Sequence, residues 1–482
     1  MIKKKIWNKY IATKIHLNFF IIQKMENIFL SEPNRNNGYR EINLQNDKWI
    51  PFNRREKISP IRIFAICANQ ITTNFIWIPL GVLTKPYCMK LGLSHYGSTL
   101  VLMIGNIIGF IVPPLVASVS DTTTFRYGRR RIYLIIGEIL VLIGFIFICF
   151  CHEISLKLKN SSIFNFVIGQ TFTYLGGNIA NGPGRAMCSD VVPPRQQVLV
   201  SNICALDGAI VGIISNSIGA FKLYKYTKLS NETFVLLVSC FIGLISLIIS
   251  VIFTPEERLV KKQLKRNPIQ QVIDSFYLID DELLKILIAF FFFQVGTTEF
   301  AIQSSNYVAM YIFGGVPNKD DGVYDMGISF AQLLSLLQTI FQLLYSFFNT
   351  KIVNNCGFKL TWSIATSFLF LSNLLFFFIS NKYLLIFPYL FFGISCVIGF
   401  SLPYAYISLI TPTEQLAGRM TLVILFGNIG GILVMFVLTL YIGSFKLFLD
   451  NPGRLVGVST IFAAISFLIG RKCYKEPNLL EL

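Results

Sequence analysis

The chain has 482 residues, of which 54% are hydrophobic, 14% are charged and 45 are phenylalanine, a composition typical of an integral membrane protein. The net charge of +17 does not indicate nucleic-acid binding, because the basic residues lie in short loops and in the first 62 residues. Ten cysteines without a paired metal-ligand spacing predict small buried side chains, not a zinc site or a disulfide framework. The chain has no G-x-x-x-x-G-K-[ST] loop, which argues against direct use of ATP.

Twelve apolar runs of membrane-spanning length follow a polar and basic stretch at the start of the chain. We interpret residues 1–60 as a cytoplasmic tail, because charged residues interrupt its apolar segment and no small-residue cleavage site follows. Six runs lie within 61–253 and six within 284–470, with a charged cytoplasmic loop at 254–283 between them and a cytoplasmic tail at 471–482. The predicted spans are 62–84, 97–119, 132–151, 163–186, 198–220, 233–253, 284–303, 326–349, 361–380, 383–410, 421–445 and 455–470.

The loop at 120–131, with the sequence SDTTTFRYGRRR, orients all of these spans. Four arginines within six positions favour the cytoplasmic side of the membrane. Asp121 ends one span within reach of the arginines that begin the next, so the loop can form a charge network that ties two helices together on one side. Breaking that network would let one face open. We therefore predict a gating role for Asp121, Arg126, Gly128, Arg129 and Arg130.

Twelve spans place both termini in the cytoplasm. Glycosylation sequons at Asn160 and Asn231 fall in loops that this count places outside, and the inner loops carry basic residues such as Arg419. Two six-helix halves joined by a central loop are typical of a carrier that rocks about a site near the middle of the membrane. The sequence therefore predicts an all-α integral membrane protein with twelve transmembrane helices.

The 120–131 loop resembles the signature between the second and third helices of the major facilitator superfamily. It is most similar to the version in sucrose transporters and related glycoside-cation symporters, S-D-R-C-T-S-R-F-G-R-R-R. The matching residues are Ser120, Asp121, Thr124, Arg126, Gly128 and Arg129 to Arg131. Looser matches extend the resemblance from about Trp77 to Met435, and it implies the major facilitator fold.

A second motif lies at the end of the fourth run, where Gly182, Pro183, Arg185, Ala186 and Asp190 match the sucrose transporter motif Q-G-P-C-R-A-L-L-A-D. The resemblance implies that Arg185 binds sugar hydroxyls. An arginine beside an apolar span is costly unless it faces a cavity or an acidic partner, which also favours a function. The alternative is a charge at a helix end that reaches the membrane surface.

Neutral hydrogen-bonding side chains beside an aromatic ring suit a hydroxyl-rich solute, and the first run provides several of them. Amides can donate and accept hydrogen bonds, and a ring face can lie against the C–H face of a sugar. The alternative is that these amides join helices. The predicted substrate-binding residues are Arg185, Asn69, Gln70, Asn74, Trp77, Asn181 and Asn306.

The chain departs from the sucrose transporter pattern where that family carries its charges. Tyr174 stands in place of the aspartate that the family uses as proton acceptor, and the charged motif of the seventh helix is replaced by the uncharged stretch 304–311. Asp207 in the fifth run and Glu299 in the seventh are intramembrane carboxylates that could replace it. We predict that Asp207 couples a proton and pairs with Arg185, with Glu299 as second choice, although each carboxylate could instead pair with a neighbouring helix.

The resemblance implies a sugar transporter that moves sucrose or a related glucoside with a proton by alternating access. A uniporter without ion coupling and a non-transporting sugar sensor remain alternatives. We predict no enzymatic activity, no metal and no cofactor other than the coupling proton. The expected partners are the sugar and the lipid bilayer, without nucleic acid, for a monomer in the plasma membrane or in an internal membrane.

Overall fold

The computed structural model describes residues 55–123, 125, 128, 130–193, 196–254, 256, 270, 273, 274, 276, 277, 279–317, 322–411, 416–445 and 451–474. The predicted tails at 1–54 and 475–482 and most of the central loop lie outside these residues. All regular structure in the described part is helical, and each predicted run overlaps a helix. The helices are α1 (Pro60–Cys67 with Asn69–Lys90), α2 (His95–Thr122), α3 (Arg131–Cys149), α4 (Ser162–Val191), α5 (Gln197–Ala220), α6 (Asn231–Phe253), α7 (Asp281–Asn306), α8 (Val323–Asn349), α9 (Asn355–Leu375), α10 (Ile386–Ile410), α11 (Leu416–Leu433) and α12 (Gly453–Val458 with Thr460–Cys473).

Helix α1 is bent, α8 and α9 are continuous in the chain, and α7 and α11 end in wider turns. The two parts of α1 meet at 49°. Helices α8 and α9 form one helical stretch, Val323–Leu375, that breaks at Gly357, where φ is 74° and favours glycine. Helix α7 continues as the π-helix Tyr307–Ile312 and α11 as the π-helix Val434–Tyr441. Such π segments occur frequently at functional sites.

The described chain contains nine helices that are long and apolar enough to cross a membrane, and the bent α1 makes ten. The other two are α4 and α5. Helix α4 has 30 residues, more than the roughly 20 needed to span, but it carries polar side chains along its length. In α5 the apolar part is Leu206–Ala220. The two helices with the weakest apolar signal thus carry Arg185, Asn181 and Asp207, three of the predicted site residues.

The two halves meet along three helix pairs, in which α1 packs on α7, α2 on α11 and α5 on α8. A buried apolar cluster with Leu83, Ile218, Ala309 and Tyr324 crosses this interface. The second half has its own aromatic core, in which Phe300 stacks on Phe392 with ring centroids 3.8 Å apart. Helices α1, α7 and α11 therefore bring side chains from both halves to the middle of the membrane.

Glycines let α3 and α4 pack with their backbones in contact. Gly137 and Gly144 on α3 face Gly176 and Gly169 on α4, and a Cβ on Gly137 would lie 2.6 Å from the carbonyl oxygen of Gly176. A Cβ on Gly176 would overlap the carbonyl oxygen of Gly137. Small residues that allow close backbone approach are a common basis of helix association in membranes.

This packing predicts that Gly176→Ala destabilises the protein, since the added methyl group must push two backbones apart. We expect a loss of about 1–3 kcal/mol, the usual cost of overpacking, measured as a lower thermal unfolding temperature in detergent. Gly81→Ala is the matched control, because no atom lies within 4 Å of its Cβ position. Equal unfolding temperatures for the two variants would contradict the packing argument.

Candidate functional site

The cytoplasmic loop between α2 and α3 is organised by Arg130, which is 6% exposed. Its Nη1 donates to Ser120 Oγ at 2.6 Å, and its Nε pairs with Asp190 Oδ2 at the end of α4, at 3.3 Å. Its backbone N–H donates to Glu256 Oε1, just after α6, at 2.8 Å. Burial raises the pKa of Glu256, while the hydrogen bonds from Arg130 and Arg131 lower it. The loop therefore ties α2, α3, α4 and the segment after α6 into one unit.

Two of the five predicted gating residues, Gly128 and Arg130, are described in full. Gly128 has a φ of +116°, and a Cβ there would overlap the carboxylate of Glu256, so both the turn and the close approach require glycine. Arg126, Arg129 and the side chain of Asp121 lie outside the described part of the chain. The acids that the structure adds to this network are Asp190 and Glu256, and the gating role itself stays a prediction.

The outer side of the interface is closed by an ion pair between the halves. Lys90, at the end of α1, lies 2.6 Å from Glu232 of α6 and 2.5 Å from Asp325 of α8. Beside it, Asn231 Nδ2 donates to Gln332 Oε1 across the same interface at 2.7 Å. Asn231 is buried and bonded, so this sequon is unsuited to carry a glycan in this conformation.

A buried charged network joins α1, α7 and α11 inside the membrane. Lys85 Nζ, on a side chain that is 2% exposed, donates to Gln303 Oε1 at 2.7 Å. Gln303 Nε2 donates to Glu299 Oε1 at 2.9 Å, and Thr439 Oγ1 donates to Glu299 Oε2 at 3.1 Å. Because Lys85 belongs to the first half and the other three to the second, the network crosses between the halves. The amide of Gln303 links the ammonium group to the carboxylate.

Asp207 and Arg185 do not form the predicted pair in this conformation. Asp207 is fully buried on α5, and neither carboxylate oxygen has a hydrogen-bond partner among the described residues. Arg185 has an exposed side chain near the cytoplasmic end of α4. The roles predicted for both residues remain predictions.

The first two predicted amides already have partners within the protein. Asn69 Nδ2 donates to Ile66 O at 2.9 Å and lies 3.3 Å from Ser250 Oγ of α6, and Gln70 Nε2 donates to Asn69 Oδ1 at 2.7 Å. These bonds hold α1 together where it bends and join it to α6. Asn74 is half-buried and faces α5, 3.4 Å from the Cβ position of Gly208.

Two of the remaining candidates, Asn181 and Asn306, have buried polar atoms without a hydrogen-bond partner among the described residues. Asn181 Oδ1 and Asn306 Nδ2 are buried and have no hydrogen-bond partner among the described residues, although Asn306 Oδ1 accepts from Tyr324 at 2.7 Å. Trp77 stacks on Tyr174 with ring centroids 5.8 Å apart. Buried polar atoms cost free energy when they lack a partner, and a hydroxyl-rich ligand can supply one.

Three cysteines from three helices converge, which the sequence spacing did not predict. The sulfur atoms of Cys67, Cys188 and Cys204 lie within 4.8 Å of one another. Three thiolates so placed could bind a soft metal ion, but Cys188 donates to Ile66 O at 3.8 Å and accepts from Asn69 at 3.3 Å. The packing of α1, α4 and α5 brings the three thiols together.

Comparison with known families agrees with this architecture. The family model described as Major Facilitator Superfamily matches residues 63–334, which is more than half of the chain. The chain belongs to the Major Facilitator Superfamily. It is therefore a multi-pass integral membrane protein of a transporter family, not of an enzyme family.

Similar proteins and structures place this superfamily member among known carriers. Sucrose transport protein SUC4 of Arabidopsis thaliana is 24% identical over 404 residues, covering 74% of this chain and 78% of that protein. Sucrose transport protein SUC3 of the same plant is 32% identical over 176 residues, but these cover only 34% of this chain and 30% of that protein. The nucleoside transporter NupG matches with a TM-score of 0.59 and 12% identity over 86% of this chain and 99% of that one. A D-xylose-proton symporter matches with a TM-score of 0.62 and 12% identity over 87% and 98%.

Sequence analysis missed Lys85, the most deeply buried cation among the residues that the structure describes. Lys85 appears in the sequence only as one residue inserted into the T-P-Y pattern of the sucrose transporters, at Thr84-Lys85-Pro86-Tyr87. A lysine at the very end of an apolar run, in a chain that also carries Glu299, was the available signal. Which residue it meets depends on how α1 packs on α7, and the sequence does not contain that information.

The cytoplasmic loop predicts a difference between two glycine substitutions. Gly128 and Gly92 both have positive φ, but only Gly128 contacts a neighbour, since no atom lies within 4 Å of the Cβ position of Gly92. Alanine should cost about 1–2 kcal/mol of stability at either position. We expect only Gly128→Ala to slow transport per folded carrier in vesicles, by about tenfold, which corresponds to ~1.4 kcal/mol. Equal transport by the two variants would show that the contact with Glu256 does not control the cycle.

Proposed function

We propose that this chain is a sugar transporter that moves sucrose or a related glucoside together with a proton, as a monomer in the plasma membrane. The similarity to SUC4 over three quarters of the chain supports a sugar as substrate. The described geometry is compatible with it, because the Arg185 side chain is exposed, and Asn181 Oδ1 and Asn306 Nδ2 have no hydrogen-bond partner among the described residues.

The buried network of Lys85, Gln303 and Glu299 is the observation that supports the proposed proton coupling. An ammonium and a carboxylate inside a membrane are stable together because each offsets the charge of the other. A proton on Glu299 removes the negative charge that balances Lys85 and weakens a contact between α1 and α7. Proton binding can thus change how the halves meet, which coupling requires.

Glu299 is a better coupling group than Asp207 in this proposal. Asp207 lies on α5 with no hydrogen-bond partner among the described residues, so its protonation breaks no described contact between the halves. Glu299 has bonds to Gln303 and Thr439, and through Gln303 to Lys85. The uniporter remains the second candidate, since Tyr174 replaces the proton acceptor of the sucrose transporters.

Substitution of Arg185 tests the sugar site. Arg185→Lys keeps the charge but removes the planar fork that can bridge two adjacent hydroxyls. We expect the affinity for sucrose to fall by about tenfold or more, or ~1.4 kcal/mol, measured by binding of labelled sugar to purified protein. Arg62→Lys, at an exposed arginine near the start of α1, is the control. Wild-type affinity in the Arg185 variant would remove Arg185 from the site.

Transport in vesicles with an imposed pH gradient tests the coupling. We expect Glu299→Gln to abolish accumulation of labelled sugar while leaving downhill exchange intact, because the amide resembles the protonated carboxylate and cannot release a proton. Asp207→Asn, the matched removal of a buried carboxylate, should still accumulate sugar. Accumulation by the Glu299 variant but not by the Asp207 variant would assign the coupling to Asp207 on α5. If the wild type exchanges sugar but does not accumulate it, the uniporter is supported. If the wild type shows neither exchange nor accumulation with any of a panel of labelled sugars, the sensor is favoured. Fluorescent tagging identifies the membrane.

A further inference from the structure

A groove of about 690 Å³ runs along the molecular surface between α9 and α12, away from the interface of the two halves. Lys359, near the start of α9, and Arg471, near the end of α12, line one end of it. In a twelve-span chain with both termini inside, both of these helix ends lie at the cytoplasmic membrane surface. The groove thus begins at that surface and extends into the membrane.

The cytoplasmic end of the groove is positively charged. Lys359 and Arg471 are both exposed, and no aspartate or glutamate is among the described residues that line the groove. The guanidinium carbon of Arg471 lies 5.7 Å from the centre of the Phe467 ring, a cation–π contact that orients it. Two cations without an acidic neighbour in the lining form a site suited to a phosphate group.

The wall of the groove below these cations is mainly apolar, and Ser363 and Ser367 are its polar members. Leu360, Ile364, Phe368 and Leu371 follow one another on α9 at intervals of four, four and three residues, which places them on one face of the helix. Eleven residues of helix rise about 16 Å, close to half of the ~30 Å thickness of a hydrocarbon core. The apolar wall therefore matches the depth of one leaflet.

We propose that this groove binds an anionic phospholipid of the cytoplasmic leaflet. The headgroup phosphate lies between Lys359 and Arg471, and one acyl chain follows the apolar face of α9. The positive charge favours an anionic lipid over a zwitterionic one, and the depth of the wall favours a lipid over a free phosphate. This inference does not depend on which solute the carrier moves.

Native mass spectrometry of the purified full chain tests this proposal. Phosphatidylserine and phosphatidylcholine with identical acyl chains would be compared for retention. We expect phosphatidylserine to be retained selectively, and Lys359→Gln with Arg471→Gln to weaken its binding about tenfold or more. The control is Lys351→Gln with Lys472→Gln, which removes the same charge from the same surface outside the lining of the groove.

A third variant and a soluble competitor distinguish a bound lipid from a free anion and from diffuse surface charge. Phe368→Ala should weaken retention of long-chain phosphatidylserine but not of a short-chain analogue, and this holds even if the double charge variant fails to fold. Equal retention of phosphatidylserine and phosphatidylcholine by the wild-type protein would overturn the proposal. An equal loss in the control pair would assign binding to diffuse surface charge, and full competition by glycerol phosphate would assign it to a free anion site; either result would also overturn it.

Discussion

The packing of the two halves depends on one buried positive charge, the ammonium group of Lys85. An ammonium group in hydrocarbon requires a counter-charge or several hydrogen-bond acceptors, and Lys85 on α1 finds them on α7 through Gln303 and Glu299. The requirement is met only when the two halves are in contact at this level. A buried polar constraint thus acts between the halves, in addition to the ion pair of Lys90 with Asp325 and the hydrogen bond of Asn231 to Gln332.

The two membrane surfaces are held in different ways. At the outer surface Lys90 joins Glu232 of the first half to Asp325 of the second, so the ion pair must break before that side can open. At the cytoplasmic surface Arg130 joins Ser120, Asp190 and Glu256, all within the first half. The described cytoplasmic network therefore stiffens one half as a unit, while the described outer contact holds both halves together. This asymmetry suits a carrier that is closed outside.

The candidate site shows which parts of a functional prediction depend on tertiary contacts. Arg185 could be selected from the sequence because an arginine beside an apolar span must face a cavity, an acidic partner or the membrane surface. Asn69 and Gln70 have the same chemistry as Asn74, yet the Asn69 amide joins α1 to α6 and the Gln70 amide bonds to Asn69 within α1. The difference is one of helix faces, which a polar run of six residues does not reveal. The ion pair expected between Arg185 and Asp207 is absent from this conformation for the same reason, since similar depth on two helices does not make their side chains meet.

The sequence alone determined the class of the protein, and it predicted twelve spans, each of which overlaps a helix in the described part of the chain. Spanning length and apolar composition are properties of single segments, and the arginine-rich loop orients them through its own charge. Only the tertiary structure decided which buried charges meet, because Lys85 and Gln303 are 218 positions apart in the chain. It also decided that Gly128 must be glycine, because Gly128 lies against Glu256, a residue that follows α6 in the chain. Local patterns specify where a chain crosses the membrane, whereas partners in a polar network depend on how the helices pack.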